Sequence, residues 1–296
     1  MVMQNPKKYP LHADDEGFSA LAGSLSVVLI VALWLNVGPL LASLPFGTSF
    51  LGAFLRANAP FFAMALGILL SARFLLKSRL RTLIRTTAVI KVNILVLSGG
   101  TYLGVCVAFT LLGWLIQPEY YRLISDDIPQ KLVLLPFVLL ITPLQTTCEE
   151  FLMRIIPSRL FNRGHLVHSR YAMLLVSLFT ALLFTLPHLS NQEMLHAEQT
   201  GAFMLYYALF GFAGTYISLR TGGFESSLGI HAANNLYIAL ICNYQFSSLP
   251  SKPLILSTAP LGTYLDVVQL FTAFVMVVLV LKKSRCFPPR EEKFIG

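Results

Sequence analysis

Long apolar segments dominate this chain and restrict the folds that it can adopt. Eight stretches contain few charged residues, and a helix needs roughly 20 apolar residues to cross the hydrocarbon core of a bilayer. They lie at about 18–44, 50–76, 94–117, 131–161, 171–190, 202–219, 226–245 and 261–281. Only 12% of the residues are charged, whereas soluble domains carry about 25%. The sequence therefore predicts an all-α polytopic membrane protein with about eight transmembrane helices.

The first apolar segment predicts a retained helix rather than a cleaved signal. Its length of about 27 residues exceeds the roughly 7 to 15 apolar residues of a signal peptide. The chain then divides into five parts. These are a polar N-terminal tail at 1–17, N-terminal transmembrane helices with a basic connector at 18–130, a core with the polar motifs described below at 131–245, the last transmembrane helix at 246–285 and a C-terminal tail at 286–296.

Basic residues are divided unevenly between the two membrane faces. If the eight segments alternate in direction, all but four of the 22 lysines and arginines fall on or towards one face, the exceptions being Arg56, Arg122, Lys131 and Lys252. By the positive-inside rule this face is cytoplasmic, and both termini lie there. We therefore expect an integral protein of the plasma (inner) membrane. The net charge of +8 is explained by basic loops against anionic lipid headgroups, so no nucleic-acid partner is predicted.

The most basic loop runs from Lys77 to Lys91. Its charges are interrupted by Leu80, Leu83 and Ile84, a pattern that favours an amphipathic connector on the cytoplasmic surface. An ordinary charged loop is the alternative interpretation.

The first polar motif is EEFLMR, with Glu149, Glu150 and Arg154 next to apolar neighbours. The absence of Gly and Pro from 144 to 156 favours a helix, in which residues four apart share a face. Glu150 and Arg154 can therefore pair, while Glu149 points roughly 100° away. One carboxylate would be neutralised and the other left free. A helix-end ion pair at the membrane surface is the alternative.

Two further motifs repeat the four-residue spacing in later segments. Phe184 and His188 end an apolar run, and Pro187 predicts a kink there. His231 and Asn235 share one helical face and could donate hydrogen bonds to a developing oxyanion. Each pair alone could be a contact between helices. Three such pairs in separate apolar segments, with Glu and His suited to activating water, indicate one hydrated catalytic site.

The ordered trio EExxxR, FxxxH and HxxxN resembles the CAAX-processing and bacteriocin-processing family of intramembrane endopeptidases, which includes the Ras-converting enzyme and the Abi proteins. The resemblance covers roughly residues 140–245 and implies that 131–245 is a catalytic core. It implies that Glu149 is the general base, assisted by His188, and that His231 and Asn235 stabilise the oxyanion. Glu150, Arg154 and Phe184 would shape the site.

The resemblance implies hydrolysis of a peptide bond in a membrane-embedded or membrane-tethered protein, with no cofactor. We expect the cavity to face the cytoplasmic half of the bilayer. A zinc enzyme with Glu149, His188 and His231 as ligands is an alternative, since three ligands plus water suit a catalytic site. A non-catalytic immunity or binding protein and a proton-coupled transporter are further alternatives. The four cysteines have no metal-binding spacing, and the sequence carries no indication of oligomeric state.

Overall fold

The computed structural model describes residues 19–85, 89–161 and 170–287. The predicted tail at 1–17 and positions 288–296 of the predicted C-terminal tail lie outside these ranges.

Ten α-helices and three short strands form the described part of the chain. They are α1 (Ala20–Ala42), α2 (Phe50–Leu75), α3 (Leu80–Ile84), α4 (Val92–Ile116), β1 (Tyr121–Leu123), α5 (Ile128–Leu160), α6 (Arg170–His188), α7 (Gln192–Leu195), α8 (Thr200–Thr221), α9 (Glu225–Leu240), β2 (Cys242–Tyr244), β3 (Ile255–Ser257) and α10 (Tyr264–Lys283). A π-helical turn, Phe151–Ile155, lies within α5 directly after the two glutamates.

The prediction of an all-α polytopic membrane protein is confirmed. Seven of the described helices are long and apolar enough to cross a membrane, namely α1, α2, α4, α5, α6, α8 and α10. The eighth predicted segment, 226–245, is only partly helical, because α9 ends after 16 residues and the chain continues into β2. The prediction missed this ending because no Gly or Pro separates the last turn of α9 from β2.

The connections between helices gather at two ends of the bundle. The basic end contains α3, the turn 222–224 and residues 284–287, and the backbone N–H of Phe224 donates to the carbonyl of Ile84 across it (3.2 Å). The sheet end contains residues 117–127, 189–199 and 241–263. There β3 pairs antiparallel with β1 and parallel with β2, so that Leu256 is opposite both Arg122 and Asn243.

α9 is the central helix, packed against α4 and α5. Its backbone approaches that of α4 closely, since a Cβ added to Gly99 would lie 2.7 Å from the carbonyl oxygen of Gly229. Only glycine allows such an approach. His231 follows two residues later, so this contact fixes the position of α9 relative to α4 close to the residue that faces α5.

Candidate active site

Glu150 and Arg154 form the predicted ion pair one turn apart on α5, and both side chains are fully buried. The guanidinium also donates from Nη2 to the carbonyl oxygen of Phe210 (3.0 Å), and its Cζ lies 4.4 Å from the centre of the Phe184 ring. Gly214 leaves room for it, because a Cβ there would lie 3.2 Å from Cζ. Burying two charges is tolerable only when they are paired and hydrogen bonded. In addition, Phe184 of the second motif stacks on Arg154 of the first motif.

His231 lies between the two glutamates. Its Nδ1 is 2.8 Å from Glu150 Oε1, and its Nε2 is 3.4 Å from Glu149 Oε2. Because a carboxylate paired with Arg154 can only accept a hydrogen bond, we assign the hydrogen to Nδ1. This fixes the orientation of the ring and directs Nε2 at Glu149. As the sequence predicted, Glu150 is paired with Arg154, whereas Glu149 faces an open space.

That open space is a cavity of about 80 Å³ lined by Glu149, His188, His231 and Asn235, together with Phe184 and residues discussed below. It is large enough to hold more than one water molecule. The four residues come from three helices, α5, α6 and α9, so the fold brings together the groups that the sequence predicted to converge.

His188 is held by the last turn of α6. Its Nδ1 is 2.6 Å from the carbonyl oxygen of Phe184, and its ring stacks on Phe184 at 4.5 Å and lies 4.6 Å from Tyr207. A carbonyl only accepts hydrogen bonds, so Nδ1 carries the hydrogen and Nε2 is left as a free base at the cavity. Phe184 thus contacts both Arg154 and His188.

Asn235 is oriented by two residues that the motifs do not contain. Asn234 Nδ2 donates to Asn235 Oδ1 (3.0 Å), and the hydroxyl of Tyr102 donates to Asn234 Oδ1 (2.9 Å). This chain occupies the carbonyl oxygen of Asn235 and leaves its amide hydrogens available as donors in the cavity. Tyr102 comes from α4, outside the stretch in which the sequence motifs were found.

The described residues contain no group of three His, Cys, Asp or Glu side chains arranged to hold a metal ion. The four cysteines are buried and free within the same ranges.

Two comparisons with known proteins found a match. The family model described as "Type II CAAX prenyl endopeptidase Rce1-like" matches residues 129–237. Residues 129–237 carry an Rce1-like domain. The chain is also 31% identical over 194 residues to the uncharacterized protein YyaK of Bacillus subtilis (strain 168), a match that covers 62% of this chain and 60% of that protein. No solved structure matches the chain.

All four predicted cavity residues lie inside the Rce1-like domain, but the domain depends on contacts outside it. Arg85 donates to Glu225, the first residue of α9, through Nε (2.5 Å) and Nη2 (3.0 Å), and both side chains are buried. The backbone N–H of Lys91 adds a third bond to Glu225 (3.0 Å). The connector predicted as amphipathic therefore holds the start of the helix that carries His231.

Sequence reasoning missed Glu193, which also lines the cavity beside Tyr207 and Tyr244. Glu193 follows the second motif by five residues in a polar segment that has the composition of an ordinary loop, so no local pattern indicated it. Burial raises the pKa of the Tyr244 hydroxyl well above its ordinary value, so this group stays neutral.

The cavity opens towards the sheet end, contrary to the expectation of a cavity facing the basic, cytoplasmic half. Its lining residues outside the long helices are Asn191, Glu193, Tyr244, Ser248 and Leu249, and all belong to sheet-end connections. Towards the basic end, the site is closed by the buried Arg154. His188 ends α6, and the adjoining loops fold inward to line the cavity.

Proposed function

We propose that this protein is an intramembrane endopeptidase that hydrolyses a peptide bond of a membrane-embedded or membrane-tethered substrate by means of a Glu-activated water. The observation that carries the proposal is the placement of His231 between a paired carboxylate, Glu150, and an unpaired one, Glu149, at the wall of a cavity. Ionisable groups at membrane depth cost several kcal/mol each, which favours a functional explanation. The Rce1-like domain supports the same reaction class.

In the proposed reaction, Glu149 takes a proton from water while the water oxygen adds to the carbonyl carbon of the substrate. The resulting oxyanion accepts hydrogen bonds from the amide of Asn235. His231 can donate from Nε2 only when that nitrogen carries a proton, because Nδ1 donates to Glu150. The proton accepted by Glu149 can reach Nε2 across 3.4 Å. Collapse of the intermediate breaks the C–N bond, and this proton passes to the leaving amine.

His188 assists from the opposite wall, with its free Nε2 accepting a hydrogen bond from the attacking water. Glu150, Arg154, Asn234 and Tyr102 are positioning residues, since they act through His231 and Asn235. No step of this scheme requires a metal ion.

The test is Glu149→Gln, which keeps the size of the side chain and removes the base. Peptides released from membrane proteins are compared by mass spectrometry between cells that express the wild type and cells that express this variant. We expect product formation to fall by roughly 10²–10⁴-fold, the usual contribution of general acid–base catalysis. Glu198→Gln, the same change at an exposed position, is the control and should match the wild type.

The alternatives predict other outcomes. A binding or immunity protein would keep its biological activity in Glu149→Gln and release no product. A proton-coupled transporter would show ion-coupled flux in liposomes without any cleaved peptide. A zinc enzyme would lose activity on incubation with a chelator and regain it with added zinc.

We further propose that the protein resides in the plasma (inner) membrane with both termini in the cytoplasm. Of the basic residues in the described ranges, only Arg56, Arg122, Lys131 and Lys252 lie towards the sheet end. By the positive-inside rule the basic end is then cytoplasmic, and the substrate reaches the cavity from the extracytoplasmic side.

A further inference from the structure

The charge of the cavity restricts the substrates that fit it. Two carboxylates, Glu149 and Glu193, line it, and none of its lining residues in the described ranges is a lysine or arginine. A free C-terminal carboxylate that entered this space would meet no cation with which to pair. A basic side chain would be attracted, and in a site shielded from water the attraction between opposite charges is stronger than at the surface.

Glu193 presents its charge to the cavity from a fixed position. Its Oε1 accepts hydrogen bonds from the hydroxyl of Tyr207 (3.0 Å) and from Asn191 Nδ2 (3.1 Å), and its Oε2 accepts one from the backbone N–H of Ser248 (2.8 Å). Each carboxylate oxygen can accept two hydrogen bonds, so Oε2 retains capacity for one more donor. The three protein donors are uncharged and therefore do not neutralise the carboxylate.

Aromatic rings also line the cavity. They are Phe203, Tyr206, Tyr207, Phe210 and Tyr244. Their planes differ, with Tyr206 and Tyr207 perpendicular and Phe203 and Tyr207 inclined at 51°. Ring faces attract ammonium and guanidinium groups, an effect that is strongest when the cation is desolvated. A carboxylate among several rings is thus a suitable environment for a lysine or arginine side chain.

We propose that Glu193 is a specificity-determining residue that selects substrates with a basic side chain near the scissile bond. This proposal rests on the proposed function. The basic residue occupies the sheet-end side of the scissile bond, because Glu193 belongs to the sheet-end connections whereas Glu149 and His231 lie deeper in the bundle. The preferred substrate is therefore an internal, basic peptide segment rather than an acidic or free C-terminal one.

The test uses pairs of quenched fluorescent peptides that carry either arginine or citrulline at one position. This position is varied from pair to pair on both sides of the cleaved bond. Citrulline keeps nearly the shape of arginine and lacks its charge. With purified protein in nanodiscs, we expect kcat/KM to be 10- to 100-fold higher for arginine at one position. Glu193→Gln should reduce this ratio to below threefold, because it lowers kcat/KM for the arginine peptide more than for the citrulline peptide. Glu198→Gln, on the same connection but outside this cavity, should keep the full ratio.

A purely structural role for Glu193 gives a different result. In that case Glu193→Gln would slow both peptides equally and leave the ratio unchanged, which overturns the proposal. Glu193→Asp retains the charge and should preserve a ratio above threefold even if its melting temperature falls. If the wild type cleaves none of the peptides, the proposed function fails. The preference for charge is then measured by fluorescence anisotropy, as the affinity for labelled arginine and citrulline peptides. Equal affinities for the two peptides would then overturn the selection by Glu193.

Discussion

At the scale of single residues, adjacent glutamates with the same side chain have different surroundings. Glu150 is fully buried against Arg154 and holds Nδ1 of His231, whereas Glu149 meets Nε2 of the same ring at the cavity wall. The helical rotation of roughly 100° per residue separates them. Arg154 makes this separation possible, because without a cation Glu150 would itself be an uncompensated buried charge.

Arg154→Ala should therefore destabilise the protein and reduce its activity. Removing one partner of a buried ion pair costs about 3–5 kcal/mol, which thermal unfolding in detergent would detect. Arg154→Lys should recover part of this stability but not the activity, since an ammonium lacks the planar group that stacks on Phe184 while bonding Glu150 and the Phe210 carbonyl. Arg73→Ala, at an exposed position, is the control. Equal melting temperatures for Arg154→Ala and this control would contradict the role of the pair.

The two hydrogen bonds that link Tyr102, Asn234 and Asn235 predict a larger loss of activity for Asn235 variants than for Tyr102 variants. Asn235→Ala removes the proposed oxyanion donor and should lower kcat by about 10²–10³-fold. Tyr102→Phe removes one hydroxyl that orients Asn234, a hydrogen bond worth about 1 kcal/mol, and should lower kcat by roughly fivefold with KM unchanged. Tyr264→Phe, at an exposed ring, should have no effect. If Tyr102→Phe changed KM alone, the two hydrogen bonds would act on substrate binding instead.

At the scale of elements, the position of α9 decides whether the site assembles. Arg85 and Lys91 hold its first residue, and the approach of Gly99 to Gly229 fixes its distance from α4. Neither contact belongs to the motifs. Residues outside the Rce1-like domain therefore contact the helix that carries His231.

Neighbouring glycines on α4 allow this to be tested. Gly99→Ala places a methyl group 2.7 Å from a backbone oxygen, so α9 must shift. We expect a lower melting temperature and at least a tenfold loss of kcat. Gly100→Ala meets nothing within 4 Å and should be neutral or stabilising by about 0.5–1 kcal/mol, since alanine favours a helix. Similar activity in the two variants would show that the close approach does not position His231.

The sequence predicted contacts between residues that are close along the chain better than contacts between residues that are far apart along it. The pairing of Glu150 with Arg154 follows from helical periodicity alone, and the apolar lengths predicted the long helices. The ion pair between Arg85 and Glu225 joins residues 140 positions apart, and no periodic pattern in the sequence reveals such a pairing. Likewise, Glu193 is held by Tyr207 and Ser248, partners that become neighbours only when the sheet-end connections fold over the cavity.

At the scale of the whole molecule, the two ends of the bundle differ in charge and in structure. At the basic end, Arg85 bonds Glu225 at the start of α9, and Arg159 near the end of α5 bonds the carbonyl oxygen of Leu83 in α3. The sheet end combines three strands from distant parts of the chain with the mouth of the cavity. Under the proposed function, the orientation in the membrane therefore determines from which side a substrate enters the cavity.

Cysteine labelling in intact cells tests that orientation. Ser248→Cys places a thiol at an exposed position beside the cavity, and Arg79→Cys places one at the basic end. We expect a membrane-impermeant maleimide to label Ser248→Cys in intact cells and Arg79→Cys only after permeabilisation. The four natural cysteines are buried, so background labelling should be low. Labelling of Ser248→Cys with a bulky reagent should also stop cleavage, because the adduct covers the route to Glu149. The reverse labelling pattern would mean that the site opens to the cytoplasm.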